Sequence, residues 1–204
     1  MAALQMTSGS PDPTRGLVLE SERLVLRAPR LPDADAIVAL AGNRRIAEMT
    51  ALMPHPYARA DAEAWIAASP VAGDVTLAVT RKADGAFVGA CGYAHGGKAE
   101  PELGYWTGEP YWNDGFATEA VRAVIDYAFA NAGLEAITSS CRVINAASRR
   151  VIEKCGFQWT GAGLLRVRSL QASVPVDRFR LDQRTWEALR AWGRSRLPQS
   201  SQSA

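Results

Sequence analysis

A bend around Gly115 separates a strand-like pattern from a helix-like pattern in the stretch GYWTGEPYWNDGFATEAVRAVIDYAF, residues 104–129. The first turn of a helix exposes unpaired backbone N–H groups and the positive end of the helix dipole, so it suits an anion such as a phosphate. Gly115 would let the anion approach the main chain closely, although a single glycine there is also common simply as steric relief. Neither GxxxxGK[ST] nor GxGxxG occurs, which argues against the P-loop and dinucleotide-binding forms of such a site.

The segment before the bend has the patterns of a strand and two helices. Residues 17–29 alternate like a strand, and Pro32 followed by Asp33 is typical of a helix start. The apolar faces that the spacing predicts are Ile37, Leu40 and Ala41 on the first helix and Ala64, Trp65 and Ala68 on the second.

A three-stranded antiparallel meander is predicted next. Asp84-Gly85 favours a type I′ hairpin between two β-rich runs, because such a turn needs two residues that tolerate positive φ angles. A third strand over residues 100–107 leads into the bend, so this meander would carry the strand side of the candidate site.

Beyond the bend, apolar residues recur at helical spacing, and Gly133 is placed to end the helix. Its predicted buried face is Ala117, Ala120, Val121, Val124, Ile125 and Ala128. A strand over residues 136–144, a helix stopped by Gly156, strand runs at 164–170 and 174–181, and a short final helix complete the order. Apolar residues on the two later helices are Ala147, Val151, Ile152 and Cys155, then Trp186, Leu189 and Trp192. The order predicts one mixed α/β domain with a mostly antiparallel central sheet flanked by helices.

Composition narrows the class of protein. The chain has 204 residues, 48% hydrophobic and 22% charged, as in soluble globular proteins. A net charge of +2 gives no electrostatic indication of a nucleic-acid partner. Since no signal-like or membrane-spanning run is recognised, we expect a cytoplasmic protein without a membrane partner. Ser- and Pro-rich ends predict flexible tails at residues 1–16 and 194–204 around a domain at 17–193.

The three cysteines show no spacing that suggests chemistry. Cys91, Cys141 and Cys155 lack CxxC pairing, so we expect buried free thiols in a reducing compartment rather than nucleophiles or metal ligands. No other ligand spacing indicates a metal site.

Two ordered motifs carry a family resemblance. They are ELGYWTGEPYWNDGFATEAVRAVIDYAF, residues 102–129, and NAASRRVIEKCGF, residues 145–157. Together they resemble the coenzyme A signature of the GNAT acetyltransferase superfamily, specifically its ribosomal-protein N-terminal (RimJ/RimL-like) branch, and a weaker resemblance extends over residues 18–189. The resemblance implies a β-α-β acyl-CoA-binding core, acetyl-CoA as donor without a metal, an amine acceptor, and a monomer or homodimer.

The resemblance also implies where the coenzyme lies. Backbone N–H groups around the bend would bind its pyrophosphate, with the Thr118 hydroxyl as a further donor and Trp112 in place of the usual Gln or Arg. The residues so implicated are Trp112, Asn113, Asp114, Gly115, Phe116, Ala117 and Thr118. The strand before the bend would hydrogen-bond pantetheine where it parts from the next strand, through the main chain of Tyr105, Trp106 and Thr107. Asn145 would contact the pantetheine arm, a role compatible with capping the following helix.

The implied reaction is direct acetyl transfer to a primary amine, which calls for a base, oxyanion donors and an acid for the thiolate. Strand alternation places Glu102, Gly104 and Trp106 on one face, so Glu102 is the candidate base; the alternative is a solvated carboxylate at a strand start. Main-chain N–H groups near Tyr105 and Trp106 would hold the oxyanion.

Two positions depart from the family pattern. Ile152 stands where many members have a Tyr that protonates the thiolate, and Ser140 stands where some have Glu. Ser148 is then the candidate acid, with a helix-surface or capping hydroxyl as the alternative. These departures make a catalytically silent acyl-CoA-binding or sensing module the second hypothesis.

Two further questions stay open at the level of sequence. A carboxylate at Asp114 would repel phosphates unless it turns outward or caps the Ala117 amide. The acceptor is a protein N-terminus, a free amino acid, an aminoglycoside or a polyamine-like amine, and loops around residues 52–65 and 165–176 would select among them.

Overall fold

The structure, a computed structural model, describes residues 16–68 and 73–195. The described strands are β1 (Val18–Glu20), β2 (Leu24–Arg27), β3 (Val75–Arg81), β4 (Phe87–Ala94), β5 (Glu102–Thr107), β6 (Ala136–Arg142), β7 (Gln158–Val167) and β8 (Ala172–Asp182). The α-helices are α1 (Ala34–Ala41), α2 (Arg44–Ala47), α3 (Arg59–Ala67), α4 (Phe116–Ala130), α5 (Ala146–Lys154) and α6 (Gln183–Ser195). The predicted tails lie outside the described residues, apart from Gly16 and the last residues of α6.

One sheet holds these strands in the order β1-β2-β3-β4-β5-β6-β8-β7. Neighbouring strands are antiparallel except β5 and β6, which run parallel. A parallel pair needs a crossover connection, and α4 provides it. The predicted mixed, mostly antiparallel sheet with a β-α-β core is therefore confirmed, and so is the meander of β3, β4 and β5.

Helix α4 packs on one face of the sheet through the predicted apolar face. Its buried residues are Phe116, Ala120, Val121, Val124, Ile125, Ala128 and Phe129. They form one core with strand residues such as Leu77, Leu103 and Ile137. The helix ends at Ala130, before Gly133, which instead takes φ 68° in the turn to β6.

Helices α1 and α3 cover part of the opposite face, packing with Phe87 of β4. On α3 the predicted face is rotated in part: Trp65 packs on this core as predicted, but Ala62 and Ile66 join it, whereas Ala64 and Ala68 are exposed. The buried stripe turns toward α1, a tertiary contact that local spacing does not encode. Helix α1 in turn approaches the end of β5 closely, since a Cβ at Gly108 would lie 2.7 Å from the Leu40 side chain.

Other local predictions also need correction. The turn between β3 and β4 is not type I′, because Gly85 takes φ 71° but Asp84 does not share a positive φ. Helix α6 exists and Trp186 packs on the core as predicted, whereas Leu189, which lies over Gly156, is 44% exposed and Trp192 is 57% exposed. Ala147 on α5 is likewise exposed, because the cleft described below opens beside it.

A buried ion pair ties β2 to the start of α1. Arg27 donates from Nη1 and Nη2 to the two carboxylate oxygens of Asp33, each at 2.8 Å, and the Arg30 N–H donates to the same carboxylate. Burial alone would raise the pKa of Asp33, but the hydrogen bonds from Arg27 and Arg30 outweigh it and hold the pKa below its usual value. The folded protein therefore favours the ionised carboxylate.

We expect Asp33→Ala to lower the free energy of unfolding by about 2–4 kcal/mol, because it leaves Arg27 buried without its partner. The matched control is Asp35→Ala, whose side chain is 84% exposed and should cost less than about 1 kcal/mol. Because the folded-state pKa of Asp33 is depressed, its contribution is present above about pH 4 and disappears as the pH falls through the folded pKa. Urea denaturation at several pH values measures both effects, and equal costs for the two variants would contradict this reading.

Candidate active site

Strands β5 and β6 part almost as soon as they meet. They pair only at Glu102 with Thr138 and at Leu103 with Ser139. The Leu103 C=O accepts from Ser139 Oγ at 3.1 Å, and the Thr107 C=O accepts from Trp112 Nε1 at 2.8 Å, so both face away from β4. Main-chain groups alternate along a strand, so those of Tyr105 point into the gap between β5 and β6.

The same alternation corrects one predicted oxyanion donor. Trp106 pairs with Ala90 of β4, and its main-chain N–H faces that strand. Of the two amides predicted to hold the oxyanion, only that of Tyr105 faces the gap.

The mouth of α4 lies beside this gap. Gly115 is the N-cap with φ 81°, and no side chain caps the helix. The first helical hydrogen bond runs from the Glu119 N–H to the Gly115 C=O at 3.1 Å, which leaves the preceding N–H groups of the first turn free for an anion. Asn113 also takes a positive φ of 68°, which sequence patterns did not reveal.

Both features open on one cleft of about 1360 Å³. Its lining includes the predicted residues Glu102, Tyr105, Trp106, Thr107, Trp112, Asn113, Gly115, Phe116, Ala117, Thr118, Asn145 and Ser148. Asp114 does not line it. The Asp114 side chain is exposed and does not cap the helix, while its C=O accepts from Arg23 Nη1 at 3.0 Å. The outward orientation is therefore the one observed, and the capping alternative is wrong.

Glu102, at the start of β5, lines the cleft. Ser140 Oγ donates to Oε1 at 2.5 Å, and Lys98 Nζ donates to Oε2. Burial alone would raise the pKa of Glu102, but these hydrogen bonds, with the positive field of Arg178, place the pKa below its usual value. The side chain is thus an ionised carboxylate at neutral pH, held in place from both oxygens.

Ser148 and Tyr105 form a hydroxyl pair in the lining of the cleft. The Tyr105 hydroxyl lies 2.8 Å from Ser148 Oγ and 3.1 Å from the Ser148 C=O. Asn145 caps α5 by accepting the Ser148 N–H at 3.0 Å. Ile152 is fully buried, so no hydroxyl reaches the cleft from that position. Sequence reasoning assigned only main-chain roles to Tyr105, because the pairing joins residues 43 positions apart.

Two arginine side chains near the start of α4 stack over aromatic rings. The Arg45 guanidinium lies 4.8 Å from the ring centre of Trp112, and Arg45 also pairs with Glu109. Arg23 lies 4.6 Å from the ring centre of Phe116 and pairs with Glu119. Of these two arginines only Arg45 lines the cleft, and no pattern in the sequence pointed to it.

The cysteines are buried and free, as predicted. Cys91 and Cys141 line the cleft, and burial raises the pKa of Cys141 to about 11, which keeps the thiol protonated. Within residues 16–68 and 73–195, no group of three metal-ligating side chains gathers, and no helix has the length and apolar character to cross a bilayer.

The fold matches those of acetyltransferases. It resembles a GCN5-related N-acetyltransferase from Brucella melitensis, with a TM-score of 0.72 and 24% identity over 91% of this chain and 86% of that one. It also resembles Mycobacterium smegmatis RimJ in complex with CoA-disulfide, with a TM-score of 0.67 and 21% identity over 84% and 90% of the two chains. The predicted likeness to the RimJ/RimL branch is thus seen in the fold.

Sequence comparison extends the match. The uncharacterized N-acetyltransferase YoaA of Bacillus subtilis (strain 168) is 28% identical over 165 residues, which cover 78% of this chain and 92% of that protein. The profile of the family described as "Acetyltransferase (GNAT) domain" matches residues 23–158, more than half of the chain. The chain therefore belongs to the GNAT family of acetyltransferases, enzymes that take the acetyl group from acetyl-CoA.

Proposed function

We propose that this enzyme transfers the acetyl group of acetyl-CoA directly to a primary amine held beside Glu102. The observation that carries the proposal is the convergence on one cleft of a free strand edge, an uncapped helix mouth and an ionised carboxylate. The first two suit the pantetheine and pyrophosphate of the coenzyme, and the third suits an amine.

The coenzyme position follows from the free main-chain groups. Pantetheine amides pair with the Tyr105 and Thr107 edge of β5, which β6 leaves open. The pyrophosphate lies at the first turn of α4, within reach of the Thr118 hydroxyl. The side-chain oxygen of Asn145 accepts the hydrogen bond that caps α5, so its NH₂ group is left to donate to the pantetheine arm.

Arg45 supplies the cation that the phosphate motif lacks. Trp112 occupies the place of the usual Gln or Arg, but its ring supports the Arg45 guanidinium at 4.8 Å. Glu109 holds this guanidinium from one side, and the remaining N–H groups stay available to a phosphate. A side chain from α2 thus replaces one from the motif.

Glu102 serves the acceptor side as a carboxylate. It holds the incoming amine by hydrogen bonding, and it receives the amine proton, directly or through a water, as the nitrogen attacks the acetyl carbon. The C–S bond then breaks and the coenzyme leaves as a thiolate. Because the pKa of Glu102 lies below its usual value, the acceptor amine rather than Glu102 should govern the pH dependence between pH 6 and 9.

The leaving thiolate accepts a hydrogen bond from the hydroxyl of Ser148. Burial raises the pKa of Tyr105 and outweighs the opposing effect of the hydrogen bond with Ser148, so Tyr105 is a poor acid and acts by orienting Ser148. Ser148 then donates to the sulfur, and a thiol-like pKa near ~8.5 makes the coenzyme a tolerable leaving group without a stronger acid. This pair weakens the argument for a silent acyl-CoA-binding module that rested on Ile152.

Glu102→Gln should lower kcat by about 10²–10⁴-fold while acetyl-CoA affinity changes little, because the amide keeps the shape but cannot take the proton. Glu100→Gln is the matched control, since Glu100 pairs with Arg180 and does not line the cleft. Acceptor-stimulated thiol release over a panel of amines and N-terminal peptides measures turnover. Equal turnover of Glu102→Gln and the unchanged enzyme across pH would remove Glu102 as base, and tight acetyl-CoA binding without any acceptor-stimulated release would establish the silent module.

Arg45→Gln should weaken acetyl-CoA binding about tenfold, and more at low salt, because it removes a cation from a phosphate. Arg44→Gln is the matched control, because Arg44 is 72% exposed, pairs with Glu48 and does not line the cleft. Calorimetric titration at two ionic strengths measures both Kd values. The same Kd for the two variants would exclude Arg45 from the phosphate site.

A further inference from the structure

The wall of the cleft next to Glu102 is built from the loop after α2, residues 48–53. Hydrogen bonds tie this segment and the preceding Ala47 to β6 and to the turn that follows β7. Arg142 Nη1 donates to the Glu48 C=O at 2.9 Å, the Arg168 N–H to the Ala51 C=O at 2.9 Å, and Ser169 Oγ to the Ala47 C=O at 2.9 Å. Arg142 is anchored to this loop through its guanidinium and Arg168 through its main-chain N–H, and both residues line the cleft.

Arg142 shares a sheet face with the base. Side chains alternate along β6, so Ser140 and Arg142 project from the same face, about 7 Å apart along the strand. Ser140 is also the residue whose hydroxyl holds Glu102 at 2.5 Å. The Ser140 hydroxyl therefore lies between the Glu102 carboxylate and the Arg142 guanidinium.

The positive charge of Arg142 on this wall is not matched by a carboxylate of the described residues. The other carboxylates that line the cleft do not pair with Arg142: Glu48 pairs with Arg44, and Asp61 accepts the Ala58 N–H at the start of α3. Within residues 16–68 and 73–195, Arg142 pairs with a main-chain carbonyl and the thioether of Met49 but with no carboxylate. A partly buried guanidinium with open donors favours an anionic partner.

We propose that the acceptor is a small amine that also carries a carboxylate, of the α-amino-acid type, with its carboxylate on Arg142 and its amine at Glu102. The proposal rests on the proposed function and names the substrate class of the same site. Arg168 adds a second positive charge at the carboxylate end. The apolar residues beside them, Met49, Met53 and Leu165, suit an apolar side chain on the acceptor.

An acceptor of this class undergoes the same transfer step as proposed above. The amine nitrogen forms the new N–C bond to the acetyl carbon, the C–S bond breaks, and the nitrogen proton passes by way of Glu102 to water. The substrate carboxylate takes no part in the bond changes, so Arg142 acts in binding and specificity. Polyamines and aminoglycosides bring only positive charge to this wall and should be poor acceptors.

Matched acceptor pairs test the proposal: methionine with methioninamide, and phenylalanine with phenylalaninamide. We expect kcat/KM for each acid to exceed that of its amide by about tenfold or more, because only the acid can pair with Arg142. Amidation lowers the pKa of the amine, so it raises the reactive neutral fraction and works against the expected result. In Arg142→Gln the acid-to-amide ratio should fall close to one, with acetyl-CoA affinity unchanged.

Two further variants keep the test decisive. Arg168→Gln, at an exposed position, should lower the ratio in part even if Arg142→Gln folds poorly. Arg184→Gln, on the exposed side of α6 and outside the cleft, should keep the full ratio. Amides used as well as acids, or acetylation confined to peptides or polyamines, would overturn the carboxylate assignment while leaving the transferase intact. No thiol release with any amine would overturn the proposed function as well.

Discussion

The early parting of β5 and β6 is the constraint on which the rest of the site depends. Two residue pairs join the strands, and beyond them the main-chain groups of β5 on that side have no neighbouring strand. Backbone donors and acceptors need partners, so an open edge inside a cleft is costly unless water or a ligand pairs with it. The crossover helix α4 begins beside the same opening, so a ligand that follows the strand edge reaches the helix mouth. One topological feature thus creates a groove with free main-chain groups along one wall and the free N–H groups of a helix start at one end.

The charges around the start of α4 suit the proposed coenzyme although the residues of its proposed phosphate motif are unusual. Trp112 carries no charge, and Asp114 carries the wrong one, yet the carboxylate turns outward and the ring of Trp112 supports Arg45 from another helix. On the acceptor side, Glu102 stays ionised because Lys98 and Ser140 hydrogen-bond to it. The groove therefore presents cations where the proposed coenzyme is anionic and a carboxylate where the proposed acceptor is an amine.

Sequence patterns predicted those parts of the molecule whose causes are local. The apolar face of α4, the three-stranded meander and the helix start after the bend at Gly115 follow from spacing within a few residues, and all are present in the structure. The parts that sequence reasoning missed depend on residues distant in the chain. Arg45 reaches Trp112 only because α1 packs at the end of β5, and the Tyr105 hydroxyl meets Ser148 only because α5 lies beside the gap. The rotation of the α3 face has the same origin, since it follows from contact with α1.

Amide hydrogen exchange with and without coenzyme A tests the central claim most directly, because it reads main-chain hydrogen bonds residue by residue. Saturation with coenzyme A should slow exchange at the Tyr105 and Thr107 amides of β5 and at the first turn of α4, residues 116–118. The Trp106 amide already faces β4 and should change little. If the Tyr105 and first-turn amides still exchange at their free rates in saturated protein, coenzyme A does not bind along this edge and helix start.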